Sequence, residues 1–225
     1  MADRVLAAVL SKRCTNAGTK GSSQVDAKGH LDSIAKANPG IETVELDIAN
    51  PDSIKDVAKK LTAEHPDLNV LINNVGIMEP DQAEGVIDEK LLVSTVTTNL
   101  LGPLRLTSAL VDQLKSRRGV ILYNTSVLAF VPLALTAVYS ATKAELHSYV
   151  LSQCFLLRDS GVRVLEVAPP WVRMELMNSQ EAEQAMPLGQ FISETLDALG
   201  GDAEEFLLKR QSLCERILDL RSMLW

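Results

Sequence analysis

Tyr139-Ser140-Ala141-Thr142-Lys143, with Ser126 thirteen residues upstream, brings a phenol, an ammonium and a hydroxyl within reach of one carbonyl group. If Tyr139 opens a helix, Lys143 falls one turn later on the same face. There its charge can favour ionisation of a phenol whose ordinary pKa is about 10. A tyrosine tuned in that way can pass a proton near neutral pH, and a serine hydroxyl beside it can hold the oxygen being reduced or oxidised. The run Gly119-Val-Ile-Leu-Tyr-Asn-Thr125 reads as a buried strand, so Ser126 would sit at its carboxyl end, where open α/β sheets keep their sites. Taken alone, a Tyr-x-x-x-Lys spacing more often marks an exposed helical pair than a proton donor.

The elements around these residues alternate. Ile41–Leu46 reads as a strand, and Asn50-Pro51-Asp52-Ser53 as the capped start of a helix running to Glu64. Leu68–Ile72 is the next strand, ending in Asn73-Asn74-Val75-Gly76. A long helical pattern covers Asp88–Ser116 and contains Asn99. The strand at Val120, a helix over Ala137–Arg158 and a strand over Val162–Val167 follow, and the last runs into Pro169-Pro170. Strands separated by helices predict right-handed crossovers and a parallel sheet. Beyond Pro170, residues Met174–Met186 are expected to form a mobile segment over the substrate, with helices over Phe191–Leu199 and Ala203–Leu220. No repeat, linker or low-complexity tract divides residues 1–225, so one domain is expected.

This ordered set resembles the short-chain dehydrogenase/reductase family over roughly Leu31–Leu176. The motifs that carry the resemblance are Asp47 after a strand, Asn-Asn-Val-Gly, Asn99, Ser126, Tyr-x-x-x-Lys and Pro169-Pro170. It implies a doubly wound, Rossmann-like parallel sheet and an NAD(P)-dependent oxidoreductase. Tyr139 would be the general acid in carbonyl reduction and the base in alcohol oxidation, with Ser126 on the substrate oxygen. Lys143 would hold the nicotinamide ribose and lower the tyrosine pKa, while Asn99 would support a helix kink and a proton-relaying water. The cofactor contacts implied are Asp47, Asn73, Asn74, Gly76, Tyr139, Lys143, Pro170 and Val172. Met174 stands where a threonine usually helps fix the nicotinamide.

The start of the chain departs from that pattern. Arg4–Leu10 can form a first strand, but Asn16–Ser23 holds only Gly18 and Gly21 where the family has three turn glycines. About two dozen residues separate that turn from Ile41, too few for a complete βαβ unit. One helix, over Gln24–Ala37, fits there, so a normal first βαβ unit is missing. The codons allowed for Ser22–Lys28, read one base earlier, permit two apolar residues, Thr or Ala, Gly, Arg, Arg and Lys, like the absent strand and a basic turn. Paired arginines suit a ribose 2′-phosphate, so NADP is expected over NAD. As it stands, the turn predicts weak or absent binding of either dinucleotide by residues 1–225, with NADPH-dependent reduction once that frame is repaired.

Composition bounds the partners. Hydrophobic residues make up 46% of 225, enough for a sizeable core. A formal charge of −7 argues against nucleic acid. No apolar run reaches membrane-spanning length, and Met1–Leu10 is a poor signal peptide. Cys14, Cys154 and Cys214 are odd in number and widely spaced, which suits reduced thiols in the cytoplasm. His30, His65 and His147 are scattered and read as surface or packing residues, so no metal site is expected. Two functions remain open. One is an oxidoreductase acting on a small apolar carbonyl or alcohol, for which Phe130–Val138 and Trp171–Met186 would line the pocket. The other is a catalytically silent homologue that persists as a homodimer or homotetramer through the helices at Asp88–Ser116 and Ala137–Arg158.

Overall fold

The computed structural model describes residues 5–6, 27–173 and 181–200. Four parallel strands form one sheet in the order β1 (Val5–Leu6), β2 (Val70–Asn73), β3 (Val120–Asn124) and β4 (Arg163–Val167). The described helices are α1 (Ala27–Ala37), α2 (Pro51–Glu64), α3 (Glu89–Val96), α4 (Gly102–Ser116), α5 (Ala137–Leu157) and α6 (Leu188–Gly200). This is the expected Rossmann-like α/β architecture. The expected glycine turn at Asn16–Ser23 and helix at Ala203–Leu220 lie outside the described residues.

Side-chain alternation sorts the sheet into two faces. The register sets Leu71, Ile121 and Val164 side by side, and these pack with α2, α4 and α5 residues such as Leu61, Leu110 and Leu146 into the main core. Ile72, Leu122 and Leu165 form the neighbouring row and, with Val120 and Val167, build a smaller cluster on the opposite face. One row on the helical face is polar: Asn73, Tyr123 and Glu166 are register partners, and all three are buried. Buried polar atoms need partners, and these find them in the helices. Asn73 donates to Thr107 Oγ1 at 3.0 Å, and the Tyr123 hydroxyl reaches Thr107 and Gln153.

The helix starts follow local chemistry. Asn50 caps α2 by accepting from the backbone N–H groups of Asp52 and Ser53, with Pro51 at the first helical position. The long helical pattern at Asp88–Ser116 is realised as α3 and α4 joined by a π-helical turn, Thr97–Leu101, with Asn99 at its centre. Such turns are frequent at functional sites.

The expected strand at Ile41–Leu46 does not form. The segment has no regular secondary structure and ladders with no described strand. A strand exists only where a neighbour takes its backbone hydrogen bonds, and none of the described strands lies beside this segment. The apolar alternation still works as packing: Leu46 is buried and Val44 leans on the core. Gly102 fixes the next residues, because a Cβ there would lie 2.5 Å from Ile48 Cγ1 and 2.8 Å from its carbonyl oxygen. The start of α4 is thereby pressed onto the Asp47–Ile48 turn.

Candidate active site

The site forms where β2 and β3 end. Tyr139 lies in the first turn of α5 and Lys143 one turn further, both buried. Ser126 follows β3 and caps a short 3-10 turn, Val127–Ala129, by accepting from Leu128 N–H at 3.1 Å. Its hydroxyl also lies close enough to the Tyr139 phenol to lower that phenol's pKa. Burial pushes the Tyr139 phenol above its ordinary pKa, and Ser126 partly opposes that rise. Lys143 makes no hydrogen bond to this phenol. Lys143 Nζ lies 5.6 Å from the centre of the Tyr139 ring and donates to the Asn124 carbonyl at 2.8 Å. Burial brings Lys143 itself down to about 8.

Asn99 and Gly76 complete the floor. The Asn99 side chain accepts from Ile77 N–H and donates to Ile77 C=O, both at 2.8 Å, and reaches Thr142 Oγ1 at 3.3 Å. It therefore ties the loop after β2 to the π turn and to α5. A Cβ at Gly76 would sit 3.5 Å from Asn99 Oδ1 and 3.6 Å from Lys143 Nζ, so three candidate residues converge on one point. Asn74 accepts a hydrogen bond from the Asn124 amide at the strand ends.

Other candidates stand apart. Asn73 faces the core and gives its amide to Thr107. Asp47 opens a turn, its Oδ1 accepting from Ala49 N–H at 3.0 Å. Pro170 is exposed, whereas Val172 is buried and bridges Met186. Residues 174–180 lie outside the described residues. The following segment folds back firmly: Arg173 N–H donates to Met186, Met186 N–H to Trp171, and the Arg173 guanidinium to the carbonyls of Ala182, Glu183 and Ala185.

Two carboxyl groups escaped the sequence reading. Asp81 Oδ2 accepts from Val138 N–H at 2.8 Å and so caps the helix that carries Tyr139. Glu166 Oε2 lies 2.9 Å from His147 Nδ1, while Oε1 accepts from Thr125. No spacing rule links Asp81 to a helix start 57 residues away. His147 did carry a signal, since it falls one turn beyond Lys143.

The residues present suit a dinucleotide's nicotinamide end. Asn124 Oδ1 is buried without a partner, and the Gly76 backbone lies against both Lys143 Nζ and Asn99. A ribose hydroxyl can satisfy such groups.

Comparison with known proteins agrees with this geometry. The family model for short chain dehydrogenases matches residues 5–185. An uncharacterized oxidoreductase, DltE, of Bacillus subtilis (strain 168) is 34% identical over 189 residues, 82% of this chain and 74% of that protein. An uncharacterized oxidoreductase of Myxococcus xanthus (strain DK1622) is 30% identical over 87% of this chain and 76% of its own length. Among solved structures, a short chain dehydrogenase from Burkholderia cenocepacia J2315 in complex with NADP superposes with a TM-score of 0.67 at 25% identity. That match covers 84% of this chain and 83% of the other. The chain belongs to the short-chain dehydrogenase/reductase family of NAD(P)-dependent oxidoreductases.

Proposed function

We propose that this protein reduces the carbonyl group of a small apolar molecule with NADPH, Tyr139 giving the proton and Ser126 holding the oxygen. The observation that carries the reading is the burial of Ser126 and Tyr139 together with Lys143 at the carboxyl end of β3, where the Lys143 ammonium lies 5.6 Å from the Tyr139 ring centre. A phenol whose pKa is raised keeps its proton through neutral pH, so the resting state holds the proton that carbonyl reduction requires. When bound, NADPH supplies the hydride. Lys143 would hold the nicotinamide ribose, with Gly76 leaving room for it. Asn99 would keep that loop in place, and Asn74 and Asp47 would lie toward the adenosine.

NADP is favoured over NAD by the complex of the Burkholderia cenocepacia relative and by the shifted reading near residue 28. An apolar substrate is supported by the loop between Ser126 and Tyr139, which exposes Phe130, Val131, Leu133 and Leu135, and by Trp171, 55% exposed. We also assign a homodimer paired through α4 and α5. The test of function is a carbonyl panel at saturating NADPH, followed by loss of nicotinamide absorbance. Apolar ketones and diketones should be consumed; oxidation of alcohols alone with NADP would reverse the assigned direction.

A further inference from the structure

Ser126 and Tyr139 ride on different elements, one just beyond β3 and the other on α5, yet both must meet a single oxygen atom. Proton transfer works only within hydrogen-bond reach, and a misplacement of about 1 Å can cost about a hundredfold in rate. Something therefore has to set the gap between β3 and α5. Close packing and two hydrogen bonds, Lys143 to the Asn124 carbonyl and the Tyr123 hydroxyl to Gln153, hold α5 against β3, but none of these reaches the segment beyond β3 that carries Ser126.

Glu166 is placed to do this. It lies on β4, points into the helical layer and is 8% exposed. Its Oε1 accepts from the hydroxyl of Thr125, the residue next to Ser126, which is itself 2% exposed. Its Oε2 lies 2.9 Å from Nδ1 of His147, two turns along α5 from Tyr139. Thr125 is held to β4 a second time, by its backbone N–H to Val167 C=O at 2.8 Å. The Phe130 ring packs against His147 with centroids 4.7 Å apart, which ties in the loop that joins Ser126 to Tyr139. An apolar residue at this position would fill the space without burying a carboxyl, and buried polar groups are costly unless fully paired. What the carboxyl adds is direction, since its two oxygens fix two elements at once.

Resting on the function proposed above, we infer that Glu166 is a positioning residue for the hydroxyl pair: by gripping Thr125 and His147 it sets the distance at which Ser126 and Tyr139 meet. It touches no substrate.

The test reads the Tyr139 phenol directly in the full chain, by NMR titration of ring-labelled tyrosine assigned with Tyr139→Phe. Because Ser126 lowers this phenol's pKa, Ser126→Ala should shift the titration upward. Thr125→Val and Glu166→Leu should shift it in the same direction, while Glu166→Gln, with one acceptor and one donor in the same shape, should restore most of the change. With 1-phenyl-1,2-propanedione and NADPH, the two disruptive variants should lose at least about tenfold in kcat with KM within about twofold.

An unmoved Tyr139 titration in folded Thr125→Val, when Ser126→Ala does move it, overturns the inference. Should Glu166→Leu fail to fold, Thr125→Val decides, since valine matches threonine in shape. If Ser126→Ala leaves the titration unmoved, the hydroxyl pairing fails and the function reading falls with it. A shifted titration with no NADPH oxidation by the wild type upholds Glu166 and rejects the function alone.

Discussion

Lys143 sits with its Nζ 5.6 Å from the centre of the Tyr139 ring and gives its hydrogen bond to the Asn124 carbonyl, not to the phenol. The ammonium is thus held by the end of β3, beside Gly76 and Asn99. Without direct help from it, the buried phenol keeps its proton. Two neighbours of the phenol thus differ: Lys143 gives its hydrogen bond to the strand end, and Ser126 is the side chain that lowers the phenol's pKa.

The lysine makes fold stability depend on pH. Its pKa falls from 10.5 to about 8 through burial, so between those values the unfolded chain binds more protons and stability rises with pH. Below about pH 8 the full penalty applies, on the order of 3 kcal/mol. Tyr123, Tyr139 and Tyr149 act oppositely, because burial raises their pKa values and the unfolded chain loses protons first above about pH 10. Thermal unfolding should therefore move to higher temperature from pH 7.5 to 9.5 and fall back beyond it. In Lys143→Met the rise should be absent.

Asn99→Leu should destabilise the protein by about 3 kcal/mol. The substitution strands both the N–H and the C=O of Ile77, which the asparagine side chain satisfies at 2.8 Å, and each buried orphan costs about 1–3 kcal/mol. Denaturant titration measures this. A loss under 1 kcal/mol would mean that the loop finds other partners.

Most of the sheet was legible because alternating apolar strands and capped helices are local signals. Asn50 is the N-cap of α2, as its neighbours Pro51 and Asp52 implied. Ser126, Tyr139, Lys143, Asn99 and Gly76 converge as their motifs suggested. The strand at Ile41–Leu46 misled because alternation reports which side chains face inward, not whether a neighbouring strand exists. Asn73 was grouped with Asn74, yet a strand turns consecutive side chains to opposite faces, and Asn73 serves the core. Glu166 was invisible, because an apolar strand context gives no hint that a helix offers its carboxyl a partner.

Asp81→Ala should loosen the start of α5. It removes the acceptor for Val138 N–H, and loss of a helix cap costs about 1 kcal/mol. Hydrogen exchange at Val138 and Tyr139 should speed up by roughly fivefold, with β3 amides unchanged. Equal acceleration throughout would indicate global destabilisation instead.

The dimer assigned to α4 and α5 is checked by light scattering at micromolar concentration. A particle of twice the 24.5 kDa chain mass is expected. A clean monomer would remove the pairing and, with it, any role for the chain as a partner only.

The measurement that bears most directly on the account is NADPH oxidation by wild type and Tyr139→Phe, at saturating NADPH with 1-phenyl-1,2-propanedione. The variant keeps the ring and loses the proton, so kcat should fall by roughly a thousandfold while NADPH affinity changes less than about twofold. Turnover by Tyr139→Phe at the wild-type rate, or none by a wild type that binds NADPH, would contradict Tyr139 as the proton donor of a carbonyl reductase.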